Sequence, residues 1–125
     1  MRSMQDIFVE VTQRLAAQGC HSADEIGVHC LLRASETVRD PVGWLIPDRL
    51  WSPDLEGLSV GNRGILRVLQ RAGIPIMSPG YISLISDLQR MHDDAMPYEW
   101  PRELAVIAAG HSLDGAVIVR AFRNG

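Results

Sequence analysis

The chain of 125 residues contains no lysine, so its 12 basic side chains are all arginines. It has only two cysteines, and aromatic residues make up 6% of it. Each scarcity excludes something. Without lysine there is no P-loop of the G-x-x-x-x-G-K-[ST] kind, and no G-x-G-x-x-G run occurs either, because Gly57, Gly61 and Gly64 are too widely spaced. Two thiols ten residues apart, Cys20 and Cys30, make no disulfide framework and are expected to stay free. No apolar run approaches the roughly 20 residues that span a bilayer. The start Met1-Arg2-Ser3-Met4-Gln5-Asp6 places an acid where a secretory signal needs apolar residues, which reads as a cytoplasmic protein with no membrane partner. Fifteen acids against 12 arginines give a formal charge of −3, which excludes a generally basic nucleic-acid coat.

What is present is enough for one core. A chain of this size buries roughly 65–70% of its unfolded surface, so residues 1–125 are read as a single globular domain. Met4, Ile7, Phe8, Val11 and Leu15 form one helical stripe, with Ser3 and Asp6 as the cap and Gly19 as the stop, predicting a helix over 4–18. Residues 28–33 are apolar and short, compatible with a strand or a brief helix. Prolines 41, 47 and 53 make 34–58 an ordered loop in which only Val42 to Ile46 has room for regular structure. Trp44 and Trp51 anchor that loop. Ser59 or Asn62 caps a helix through Ile65, Leu66, Leu69 and Ala72 that ends at Gly73. Ser78 and Pro79 open the next, over 80–93. A third, with Trp100, Leu104, Ile107 and Ala108, is apolar almost all round and is expected to be central. The β-branched tail 116–122 after Asp114-Gly115 reads as a strand pairing with 28–33. The expected fold class is therefore mainly α (α+β): four to five helices around one core with a minimal two-stranded sheet.

Residues of chemical interest fall into four groups. Cys20-His21 and His29-Cys30 are of zinc-ligating type, but adjacent residues diverge in either secondary structure and cannot both face one ion, so no metal and no cofactor is expected. Cys30 with His92 or His111, oriented by Asp93, Asp94 or Asp114, supplies the residue types of a thiol hydrolase or transferase; the competing reading makes Cys30 a core packing residue with a raised pKa. His92-Asp93-Asp94 ends a helix, either as a cation site or as a solvated helix end. Arg63, Arg67 and Arg71 recur every four residues and form one guanidinium row on a helix. Such a row reads as a plain solvated face, as a site for an acidic protein partner or, less well, as a DNA contact: the connection from Gly73 to Gly80 is too long for a helix-turn-helix.

Cys30-Leu31-Leu32-Arg33, Val42-Gly43-Trp44-Leu45-Ile46-Pro47-Asp48, Trp51, Glu56-Gly57, Leu88-Gln89-x-x-His92-Asp93 and Trp100, in that order, resemble a family of small bacteriophage and prophage proteins. That family carries Cys-x-Tyr-Arg, Cys-Ala-x-Gly-x-Leu-Ile-x-Asp, Glu-Gly, His-Asp and Trp elements. Here Leu32 stands for the Tyr and Asp40-Pro41 for the Cys-Ala pair, which implies that this element is structural. The resemblance implies no activity. It favours a small protein that binds a host protein through its surface, with Arg63, Arg67, Arg71, Trp44 and Trp51 as the binding residues and no catalytic set. A Cys30, His92, His111 and Asp93 enzyme is the alternative, and DNA binding the third reading.

Overall fold

The structure is a computed structural model that describes residues 2–24 and 30–123. Among the described residues six α-helices pack around one core: α1 (Met4–Gln18), α2 (Pro41–Leu45), α3 (Arg63–Arg71), α4 (Tyr81–Asp94), α5 (Trp100–Gly110) and α6 (Ala116–Ala121). None is long and apolar enough to cross a membrane.

Helix α1 starts and stops on local chemistry. Ser3 Oγ accepts from the Asp6 N–H at 3.0 Å while the Ser3 N–H donates to the Asp6 carboxylate at 3.1 Å, and Gly19 at φ 67° turns the chain out. Its stripe of Ile7, Phe8, Val11 and Leu15 is fully buried. Helix α3 is capped by Asn62, the second of the two expected caps. Helix α4 begins one residue later than its Ser78-Pro79 signal, at Tyr81, because Gly80 at φ 91° is the turning point.

Three expectations need correction. The tail is helix α6 and not a strand: it docks on α1 and α5 and buries the adjacent pair Val117 and Ile118, which alternating strand geometry would split between two faces. The two-stranded sheet is accordingly missing among the described residues. Only the isolated bridges Ala23–Cys30 and Arg33–Arg39 occur, and positions 28 and 29 of the expected first strand lie outside the described residues. Helix α5 is not central. It buries Trp100, Leu104 and Ala108 on one face and leaves Val106 exposed, because its outer apolar residues are mostly alanines that cost little in water. The helix count rises to six through α2, inside the Val42 to Ile46 window, and through α6.

Candidate functional site

The proline-rich segment is held over the amino-terminal half of the core by a few buried polar side chains. Asp40 caps α2: its carboxylate accepts from the Gly43 N–H at 2.7 Å, and its own N–H donates to the Leu32 carbonyl at 3.1 Å. Gln89 of α4 donates to the other Asp40 oxygen at 2.7 Å and accepts from the Val42 N–H at 3.2 Å. Glu56 accepts from two consecutive backbone donors, Leu32 at 2.7 Å and Arg33 at 3.0 Å. Arg33 in turn donates to the Ile46 carbonyl, pairs with Asp48 at 3.0 Å and lies over the Trp51 ring. Leu32, Arg33, Asp40, Val42, Gly43, Glu56 and Gln89 thus meet in one network.

A cleft of about 390 Å³ opens beside this network, lined by Cys30, Asp40, Glu56, Gln89, Asp93 and Asp94 among others. Three sequence candidates, Cys30, Asp93 and His92, come together there. His92 is completely buried, not at a frayed helix end: its ring stacks on Trp100 at 5.7 Å and meets His21 edge-on at 5.3 Å. His92 Nε2 accepts from the Ser22 N–H at 2.9 Å, which requires the proton of the neutral ring on Nδ1, and that proton is donated to Asp93 at 2.7 Å. The Cys30 thiol lines the same cleft as this carboxylate, close enough for the two to shift each other's pKa. The order is therefore thiol, carboxylate, imidazole, with the imidazole behind the acid and both its nitrogens engaged.

The electrostatics follow from that order. Burial pushes the Asp93 carboxyl up, but the hydrogen bond from His92 foremost, with the influence of Cys30 and Gln89, outweighs it and holds Asp93 below the ordinary carboxylate range. Burial drives Asp40 the other way, to about 7, against the two donors it accepts from and with the charges of Asp93 and Glu56 adding to the effect. Desolvation and the neighbouring acids, Asp93 foremost, push the Cys30 thiol up to about 11. Cys30 is exposed at the cleft rim and not the core residue its apolar setting implied, although the raised pKa expected of it is there. An imidazole base within reach of the sulfur is what a thiol nucleophile requires, and this arrangement supplies a carboxylate instead. His111 lies apart from the cleft and pairs with Asp87 at 2.7 Å.

The zinc-type residues also separate. His21 Nε2 hydrogen-bonds the Ala95 carbonyl at 2.7 Å, His29 lies outside the described residues, and among the described residues no group of three His, Cys, Asp or Glu could hold a metal ion.

Arg63, Arg67 and Arg71 lie exposed along α3, and none has an ion pair or hydrogen bond among the described residues. Trp44 and Trp51 are half-buried beneath arginines: Arg14 and Arg39 both sit 4.8 Å from Trp44, whose indole N–H donates to Gln18, and Arg33 sits 4.6 Å from Trp51. They brace the loop.

Asp40, Glu56 and Gln89 had no site role in the sequence reading. The one local signal for Asp40 was its proline neighbour: an acid followed by Pro41 is the pattern of an N-cap with proline at the first helical position. No family model, no curated protein and no solved structure matches the chain.

Proposed function

We propose that the protein works by contact, presenting the guanidinium row of α3 to an acidic surface on a protein partner and turning over no substrate. The observation that carries this reading is that Arg63, Arg67 and Arg71, exposed and without an ion pair among the described residues as Arg14, Arg49, Arg120 and Arg123 also are, stand in one row on a single helix, while Arg2, Arg33, Arg39, Arg90 and Arg102 have carboxylate partners. The row works against its own helix. Like charges four residues apart cost a helix about 0.2–0.5 kcal/mol per pair, and Arg63 occupies the first turn, where the helix dipole disfavours a cation. Arg71 in the last turn is favoured by the same dipole, but among the described residues no carboxylate pairs with the row, and it is a face suited to counter-charge. The resemblance to phage proteins makes a cytoplasmic host protein the partner class.

The test is a labelled polyglutamate peptide titrated with wild type and with the Arg63→Gln, Arg67→Gln, Arg71→Gln variant. Affinity is expected to fall about tenfold or more in the variant. The same variant is expected to melt a few degrees higher, since about 0.5–1 kcal/mol of repulsion is removed. Unchanged peptide binding, or a lower melting temperature, would remove the reading. Duplex DNA binding more tightly than the peptide at 0.15 M salt, with affinity falling steeply as salt rises, would move the row to nucleic acid. The enzyme reading rests on the meeting of Cys30, Asp93 and His92. It is the weaker one, because a thiol raised to about 11 is protonated at neutral pH.

A further inference from the structure

The acidic counterpart that the α3 row needs is present on the same molecule. A groove of about 480 Å³ runs between α4 and α5, with Met91, Val106 and Ile107 in its floor and Asp87, Asp94 and Glu103 on its lips. Its carboxylates exceed its cations. Asp87 is shared by His111 at 2.7 Å and, loosely, by Arg90 at 3.9 Å, and Arg102 divides itself between Glu99 at 3.2 Å and Glu103 at 3.5 Å. Asp94 has no ion pair among the described residues. The floor is partly open to water, Val106 being 63% exposed.

We propose that this groove seats α3 of a second copy, so that the chain associates head to tail. The inference rests on the reading of α3 as a binding face and gives that face a second copy of the chain as its occupant in place of a host protein. Three features favour a second copy. The charges are complementary, an unpaired arginine row against an acid-lipped groove. The lengths agree: Arg63 to Arg71 spans about 12 Å of helix and Asp87 to Asp94 about 10 Å, at 1.5 Å per residue. Met77, 83% exposed in the connection that follows α3, supplies an apolar side chain for a floor that is itself apolar. Because the two faces differ, the contact is heterologous, and it builds a ring or an open chain instead of a two-fold dimer.

Sedimentation velocity on the intact chain tests this. Wild type is expected to show a weight-average mass that rises with concentration in low salt and returns to the monomer in about 0.5 M salt, where charge contacts are screened. An Arg67→Gln, Arg71→Gln variant and an Asp94→Arg, Glu103→Arg variant should each stay monomeric alone. Their equimolar mixture should form a one-to-one dimer and grow no further, since the first keeps an intact groove and the second an intact row. Retained polyglutamate binding by the second variant shows that its row is folded. A wild type that stays monomeric at every concentration, a mixture that does not pair, or an association that survives both variants would each overturn the inference. If wild type stays monomeric yet binds polyglutamate through the row, the binding face stands and only its partner is wrong; if it does neither, both fall.

Discussion

Cys30 takes its character first from desolvation in the cleft and then from Asp93 beside it. A carboxylate beside a thiol works against the thiolate twice, by like charge and by accepting the S–H proton, and the cleft wall adds desolvation. This arrangement protects a thiol instead of arming it. In a Cys20→Ser background, iodoacetamide labelling of Cys30 should be slow at neutral pH and should climb with a midpoint near 11. Asp93→Asn should lower that midpoint by about a unit, because the charge goes while the side chain keeps its shape. Fast, stoichiometric labelling of Cys30 at pH 7 would contradict this account and favour the hydrolase. His92 is tied to the same acid from the other side. Its Nδ1 proton and its Nε2 lone pair are both committed, so the imidazole acts as a buried spacer between Ser22 and Asp93 and not as a base for the sulfur.

Among the elements, the contact between α2 and the segment before it leaves the least room. Gly43 lies directly against the Leu32 carbonyl, and a Cβ at position 43 would overlap that backbone. The carbonyl cannot retreat freely, because it accepts from Asp40 while the Leu32 N–H is held by Glu56. Gly43→Ala should therefore cost about 2–3 kcal/mol in urea unfolding. Gly61→Ala, where a Cβ meets nothing within 4 Å, should stay within about 0.5 kcal/mol of wild type. Equal effects would show that the close packing at Gly43 is not what limits this region. Elements governed by neighbours in sequence were legible in advance: the Ser3 cap, the α1 stripe and the Gly19 stop act over four residues or fewer. Helix α6 was not, because six residues rich in Val and Ile fit either period, and the choice was made by where α1 and α5 leave apolar surface to cover. The site was half legible for the same reason. Cys30, His92 and Asp93 could be named by type, but their order could not, since it depends on Ser22 reaching His92 across 70 residues. Asp40 and Gln89, 49 residues apart, say nothing singly about the bond that joins them.

The whole molecule shows the cost of that bond in its pH dependence. Asp40 is 2% exposed, ties the start of α2 to α4, and faces the charges of Asp93 and Glu56 without a cation beside it. Its carboxyl is raised from 3.8 to about 7 in the folded chain. A raised acid favours the folded state fully at pH values below its unfolded pKa, and that contribution is lost as the pH rises through the folded value. Asp6 and Asp93, both lowered, contribute in the opposite sense: their share is present above the unfolded carboxylate range and is lost as the pH falls below it. The decline between pH 4 and 8 is therefore the part that belongs to Asp40. Three units at 1.36 kcal/mol each bound it at about 4 kcal/mol. The Gly43 and Gln89 donors serve the ionised oxygens and already hold the value down to about 7 against burial. Asp40→Asn should flatten the fall. The variant keeps an oxygen for the Gly43 N–H but sets its amide against the Gln89 amide, which costs one hydrogen bond at every pH and leaves the slope untouched. Urea unfolding of both proteins at pH 5 and pH 8 separates the two effects: an offset common to both pH values reports the lost bond, and a reduced difference between them reports the charge. Equal slopes in wild type and variant would mean that Asp40 ionises at its ordinary value, and that the cleft is better solvated than its packing implies.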